Sequence, residues 1–187
     1  PLSRGQTKSG MGGGNFERSN SGRALFGGWE AMAEVDTIGF WDKLKGTGLG
    51  EKIGSLGPYG NIQLLDAKFV NGANKGKVPA YAPEYVVKWG LAYHLRKIFH
   101  ASLSSVFVAD HYWQDSNAAG TVGTTKVGTY KVWDLALEAF LYKDVLSVFG
   151  GINNLFNETY YSRVRSDGIE PSEGRNIHGG FKVKIGV

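Results

Sequence analysis

The chain has 187 residues, among them 28 glycines, 10 Phe, 5 Trp and 9 Tyr, with 5 prolines and no cysteine. Glycine is about twice its usual ~7% share, yet no Gly-X-Y period supports collagen, and a hydrophobic share of 42% argues against simple disorder. Without cysteine there is no disulfide scaffold and no thiolate zinc site. A net charge of +4 without a Lys/Arg run gives nucleic-acid binding no support.

No stretch reaches the ~18 apolar residues of a membrane-spanning helix. The chain starts Pro1-Leu2-Ser3-Arg4, without Met or the apolar core of a signal peptide, and reads as a fragment or processed product. Residues 1–21 are polar and include Gly12-Gly13-Gly14; they read as a long flexible loop.

From there, period-2 alternation recurs, the mark of strands. In 22–36, Leu25, Trp29, Ala31, Ala33 and Val35 oppose Gly28, Glu30 and Glu34. The long stretch 37–60 is rich in glycine, and Phe40-Trp41-Asp42-Lys43-Leu44 is the one candidate there for a short interfacial helix. In 61–70, Leu65, Ala67 and Phe69 oppose Asp66 and Lys68. The clearest strand is 84–96, with Tyr85, Val87, Trp89, Leu91, Tyr93 and Leu95 on one face and Glu84, Val86, Lys88, Gly90, Ala92, His94 and Arg96 on the other. The stretch 101–114 alternates less cleanly. In 129–142, Trp133, Leu135, Leu137, Ala139 and Leu141 oppose Asp134, Ala136 and Glu138; helix is a rival here, because Leu, Ala and Glu favour it. In 145–156, Leu146, Val148 and Ile152 face Ser147, Gly151 and Asn153, and Phe181, Val183, Ile185 and Val187 alternate with Lys182, Lys184 and Gly186 at the end.

Seven strands of about ten residues exceed the ~5–6 of soluble strands and suit an outer-membrane barrel wall. Short turns at 96–100 and 143–144 alternate with long polar loops at 71–83, 115–128 and 157–175, the asymmetry of such a barrel. Only the length of 37–60 breaks that rule. Glu30, Glu34, Asp66, Lys68, Lys88, Asp134, Glu138, Lys182 and Lys184 would face the lumen. Trp29, Tyr85, Tyr93, Trp113, Tyr130, Trp133 and Tyr142 would form aromatic girdles. Alternation alone leaves open a soluble sandwich, whose polar face meets water.

Several strings, in order, resemble the C-terminal barrel portion of TonB-dependent outer-membrane receptors. They are Asn20-Ser21-Gly22-Arg23 with Gly28-Trp29-Glu30; Leu64-Leu65-Asp66-Ala67-Lys68-Phe69, continuing through Pro79-Ala80-Tyr81-Ala82-Pro83-Glu84-Tyr85; Gly151-Ile152-Asn153-Asn154-Leu155-Phe156-Asn157 with Tyr160-Tyr161; and Gly179-Gly180-Phe181-Lys182-Val183. The 163–171 loop resembles the ferric-dicitrate branch. The resemblance implies an all-β fold: an antiparallel transmembrane β-barrel segment of about seven strands, the C-terminal third of a 22-stranded barrel. Residues 1–21 would be the remnant of an extracellular loop and 22–187 the barrel segment, with the plug absent. The family usually ends in an aromatic residue; this chain ends Ile185-Gly186-Val187, so the expected end is trimmed or assembles less efficiently.

The function implied is import of a ferric chelate, such as ferric citrate or a siderophore, across a Gram-negative outer membrane. Expected partners are outer-membrane lipid and lipopolysaccharide, the TonB complex through the missing plug, and the chelate as cargo, with no resident cofactor and no nucleic acid. Anionic chelates would be attracted by loop cations, and arginine grips carboxylates with two parallel bonds. Candidate ligand-binding residues are Arg163, Arg165, Arg175, Tyr81, Tyr160 and Tyr161. A soluble carbohydrate-binding module and a passive porin are the alternatives.

No enzyme is expected. His94, His100, His111 and His178 lack metal-ligand spacing, and no Gly-x-Ser-x-Gly elbow occurs. Gly46-Thr47-Gly48-Leu49-Gly50 lacks the third glycine of a dinucleotide motif, and 72–77 is one residue short of a P-loop. Glu30 and Glu34 are a possible glycosidase pair that lumen-facing charge explains more simply.

Overall fold

A computed structural model of the chain describes residues 22–142 and 145–185. The stretch 1–21, the Lys143-Asp144 turn and the Gly186-Val187 end lie outside the described residues. In chain order the elements are β1 (Ala24–Glu34), α1 (Thr37–Lys45), α2 (Leu49–Ile53), β2 (Ser55–Phe69), β3 (Tyr85–Leu95), β4 (Phe99–Val108), β5 (His111–Tyr112), β6 (Lys126–Val127), β7 (Tyr130–Tyr142), β8 (Leu146–Asn153), β9 (Tyr161–Arg165), β10 (Gly168–Pro171) and β11 (Asn176–Val183). Seven strands form one antiparallel sheet in the order β1-β2-β3-β4-β7-β8-β11, open at both edges. The helical rival for 129–142 loses, because β7 is paired on both sides.

Register settles which side chains share a face, since opposed residues point the same way. Following the pairs outward from β3, one face carries Trp29 and Ala31, Ile62 and Leu64, Tyr85 to Leu95, Phe99 to Phe107, Trp133 to Ala139, Val148 and Ile152, and Ile177 and Phe181. The other carries Glu30, Lys88, His94, His100, Asp134, Glu138, Ser147 and Lys182. Along β3 the apolar face runs ten steps, about 33 Å of strand; tilted by ~40°, it spans about the 25 Å of a barrel's lipid-facing band. That face has no second sheet against it among the described residues, and Trp29 is 82% and Phe181 75% exposed. A sandwich would cover it.

The sequence-based facing fails at four places. Asp66 and Lys68 lie on the apolar face, level with Gly27 and Leu25, because β2 continues past Leu64 without a register shift. Their neighbours Ala67 and Phe69 are buried instead of lipid-facing: the loops cover them. Tyr130 pairs with Val108 on the polar face and stacks on Tyr160, so it is no girdle residue. Trp113 lies beyond the end of β4, buried in a loop cluster, for the strand expected over 101–114 ends at Val108. In β7 a bulge between Phe140 and Tyr142 takes Leu141 out of the alternation.

The connection expected over 37–60 is shorter, since β2 starts at Ser55. Gly57, Pro58 and Gly60 mask its alternation. Pro58 is tolerated where β1 ends: Val35 N–H donates to its carbonyl at 3.2 Å, and only a pairing past Glu34 lacks a donor. α1 is capped by Asp36, which accepts from Gly39 N–H at 3.1 Å, and stops at Gly46 in the left-handed region. Asp42 accepts from the Thr47 hydroxyl and from the amides of Leu49 and Gly50, clasping α1 to α2. Those bonds, the Thr47 one foremost, hold its carboxyl below the usual carboxylate range.

Two inward glycines explain how rings fit on the polar face. A Cβ on Gly90 would lie 2.4 Å from the Tyr59 hydroxyl and 2.7 Å from the Leu103 carbonyl; one on Gly180 would meet the Phe149 ring at 2.9 Å. Each aromatic ring lies over the glycine opposite it in register. Gly90→Val in the full-length protein should therefore displace Tyr59 and destabilise the wall by about 1–3 kcal/mol, read as a lower urea midpoint for loss of heat-modifiable mobility.

Candidate ligand-binding loops

Three connections cluster at the end of the sheet opposite the tight turns: 70–84, 109–129 and 154–175. Each carries local structure that polar composition does not reveal. The second contains the β5–β6 hairpin, and the third the β9–β10 hairpin. Between them, Trp113, Val127 and Val164 form a buried cluster with Val122 packed against it. This buried cluster thus lies in the loops and not on the sheet.

Polar bonds tie the first loop to the other two. Ala80 N–H donates to Asp115 at 2.9 Å; Val78 N–H donates to Asn117 at 3.0 Å, whose amide returns a bond to the Val78 carbonyl at 2.8 Å. The Tyr81 hydroxyl donates to the Val164 carbonyl at 2.6 Å and accepts from the Val164 amide at 3.1 Å. The Thr121 hydroxyl joins the second loop to the third at the Ser166 carbonyl, 2.5 Å. Trp113 fixes its own loop through a 2.6 Å bond from its indole N–H to Thr124.

The base of the third loop is set by the Asn153-Asn154-Leu155-Phe156-Asn157 string. Asn154 and Asn157 both hold positive φ, at 52° and 56°, a conformation asparagine tolerates better than most residues. Asn154 is buried; its side chain bonds Glu158 at both carbonyl and amide, and its own amide donates to Asp134 on the wall at 2.9 Å. Asn157 accepts from the Arg175 amide at 2.9 Å. Asparagine–backbone bonding is therefore present at Asn154, while Asn153 bonds the Asn176 side chain across β8 and β11.

The candidate ligand residues divide by position. Arg163 and Arg165 lie on one face of β9, with Val164 turned the other way into the core. Glu170 pairs with Arg165 at 3.0 Å, and Arg163 has no ion pair among the described residues. Tyr81 reaches the same hairpin, but its hydroxyl is engaged with the Val164 backbone. Tyr161 is half-exposed near the start of β9. Arg175 and Tyr160 sit apart at the loop base, Arg175 against the Leu155 carbonyl at 3.5 Å and Tyr160 stacked on Tyr130 at 4.1 Å.

A recess of ≈290 Å³ opens beside these residues and is lined by none of them. Its wall includes Glu84, Asp110, His111, Tyr112 and Lys126. Lys126 pairs with Asp110 at 2.6 Å and lies 5.0 Å from the Tyr112 ring centre. No sequence spacing marked this group; Asp110 and Lys126 meet only because the β5–β6 hairpin folds back.

The hydrogen bond to Asp110 raises the Lys126 pKa above the ordinary lysine value. A raised amine pKa stabilises the fold fully below the unfolded value of ~10.4 and ceases to do so as pH climbs through the folded one. Near-UV circular dichroism of the full-length protein should thus show an alkaline loosening that Lys126→Met lacks. Tyr81→Phe should leave the buried Val164 backbone groups unpaired, a loss of about 1–3 kcal/mol, seen as faster amide exchange across β9 with the strand ladder unchanged.

A family sequence model described as "TonB dependent receptor-like, beta-barrel" matches residues 2–155. A search of curated protein sequences finds no match. Among solved structures, the ferric citrate transporter FecA in its unliganded form superposes with a TM-score of 0.65 at 17% identity, covering 84% of this chain and 23% of FecA. The ferric yersiniabactin uptake receptor FyuA from Yersinia pestis gives 0.65 at 17%, covering 88% and 24%. The ferric-catecholate import receptor Fiu from E. coli, in its closed form, gives 0.62 at 17%, covering 92% and 22%. The chain thus spans about a quarter of these receptors. Its strand order, its two-faced wall and the family match agree: the chain belongs to the TonB-dependent receptor β-barrel family.

Proposed function

We propose that this chain is part of the wall and rim of an outer-membrane active transporter that imports a ferric chelate, such as ferric citrate or a siderophore. The reading rests on one observation above all: a sheet with one charged face and one apolar face left uncovered among the described residues, rimmed by loops hydrogen-bonded to one another. The apolar face suits lipid, with lipopolysaccharide at the loop end; the charged face suits a hydrated lumen or a plug. Drive through TonB would come by way of a plug domain outside this chain. No catalytic role is assigned to any residue.

Arg163 is the leading ligand contact. It lies on the face of β9 turned away from the loop core and has no ion pair among the described residues. Arg165 supports it, partly neutralised by Glu170. Arg175, Tyr160 and Tyr161 are weaker candidates, and Tyr81 acts through the hairpin it anchors. In the full-length receptor, Arg163→Ala with Arg165→Ala should raise the Kd for ferric citrate about tenfold or more, from ~1.5 kcal/mol per lost charged hydrogen bond. Unchanged affinity removes the arginines from the site. Uptake that persists in cells lacking TonB would favour the passive porin.

A further inference from the structure

The connection between β1 and β2 is out of keeping with the tight turns at its end of the sheet. The β3–β4 connection there needs three residues, 96–98, whereas this one holds two helices. The pair is fixed in place. Beyond the Asp42 clasp, the Thr37 hydroxyl donates to the Leu56 carbonyl at 2.7 Å, the Tyr93 hydroxyl to the Ile53 carbonyl at 2.6 Å, and the Arg96 guanidinium to the Glu51 carbonyl. The docked side of α1 is Ile38, Gly39 and Asp42, which are partly covered.

The outward side carries an apolar stripe. Phe40, Trp41 and Leu44 fall within about 100° of one another at 100° per residue, and they are 59%, 51% and 61% exposed. Lys43 and Lys45 flank this stripe, and the Lys45 amine lies 5.8 Å from the Trp41 ring centre. An aromatic stripe with a lysine border is the pattern of a helix lying in a membrane interface. Its place agrees: Tyr93, whose hydroxyl holds α2, belongs to the same outer face as Trp89 and Leu91.

We propose that α1 is a built-in interfacial anchor, seating Phe40, Trp41 and Leu44 in the phospholipid leaflet at the tight-turn end of the barrel, with Lys43 and Lys45 on anionic phosphate headgroups. Two things select this occupant: continuity with the apolar face of the wall and the sign of the flanking charge. The inference rests on the outer-membrane reading of that wall.

The test uses the full-length receptor in phosphatidylethanolamine–phosphatidylglycerol nanodiscs, with nitroxide labels on single cysteines made by Phe40→Cys, Lys43→Cys and Leu137→Cys. Leu137 is on the outer face of β7 and serves as the wall reference. The expected result is an oxygen-over-nickel-chelate accessibility ratio several-fold higher at 40 than at 43 and close to that at 137. A lipid-like signal at 137 with a water-like signal at 40 overturns the anchor and leaves the wall intact. Protection of 40 from both reagents also overturns it, since a protein surface then covers α1. A water-like signal at 137 overturns the membrane reading itself. In a second arm, Lys43→Glu with Lys45→Glu should lower the ratio at 40 in the anionic discs, with less change in discs of phosphatidylcholine alone. An equal response in both lipids removes the headgroup contact.

Discussion

The hydrogen-bonded register of the seven-stranded sheet is the constraint on which the rest depends. Among the described residues the buried hydrophobic cluster lies in the loops and not along the sheet. Each residue's solvent is decided by parity, and the pairs from β1 through β11 fix that parity across six neighbouring ladders. A slip of one residue would carry Asp134 and Glu138 to the apolar side and Leu135 and Leu137 to the charged side. The polar face reinforces the register: Glu138 accepts from the Ser147 hydroxyl at 2.7 Å and from Lys182 at 2.9 Å, linking β7, β8 and β11. Asn61 does likewise for β1 and β2 by donating to Glu30 at 2.8 Å.

The apolar face is organised by ring packing. Ser105 is opposite both Trp89 and Trp133, and the two indoles meet edge to face above it at 4.7 Å. A larger residue in the middle strand would hold them apart. The small side chain is buried beneath them, so an aromatic pair spans three strands where only adjacent pairs would otherwise touch.

Much of this was legible in the sequence wherever both faces of a strand were chemically distinct. β3 alternates large apolar with small or polar residues over most of its length, and β7 does so from Trp133 to Ala139; there the facing was read correctly, while Tyr130 and Leu141 of β7 were misplaced. The reading failed where another part of the fold supplied the environment. Ala67 and Phe69 look lipid-facing because they are apolar, but the loops bury them. Trp113 looks like a girdle residue because it is aromatic and near a strand end, yet it is the centre of a loop core. Glycine and proline in 54–60 hid the first third of β2, since residues with little or no side chain leave no periodicity. The loop contacts were hidden for a different reason. Asp110 with Lys126, and Tyr81 with Val164, are joined by chain folding and not by spacing. The motif strings nevertheless marked the scaffold well: Asn154 ties the third loop to the wall, and Asn157 ties the loop's two ends together.

The open edges of the sheet carry their own consequence. β1 and β11 each present a row of backbone donors and acceptors that no neighbour takes up among the described residues. In hydrocarbon no water is available to satisfy them, and each unmatched group there is worth several kcal/mol. In water the same rows, beside residues as apolar as Trp29 and Phe181, are templates for adding further strands. Seven strands in this arrangement are therefore stable in neither solvent by themselves. They call for adjoining strands on both flanks, and expression of the stretch alone would favour edge-to-edge aggregates over a folded species.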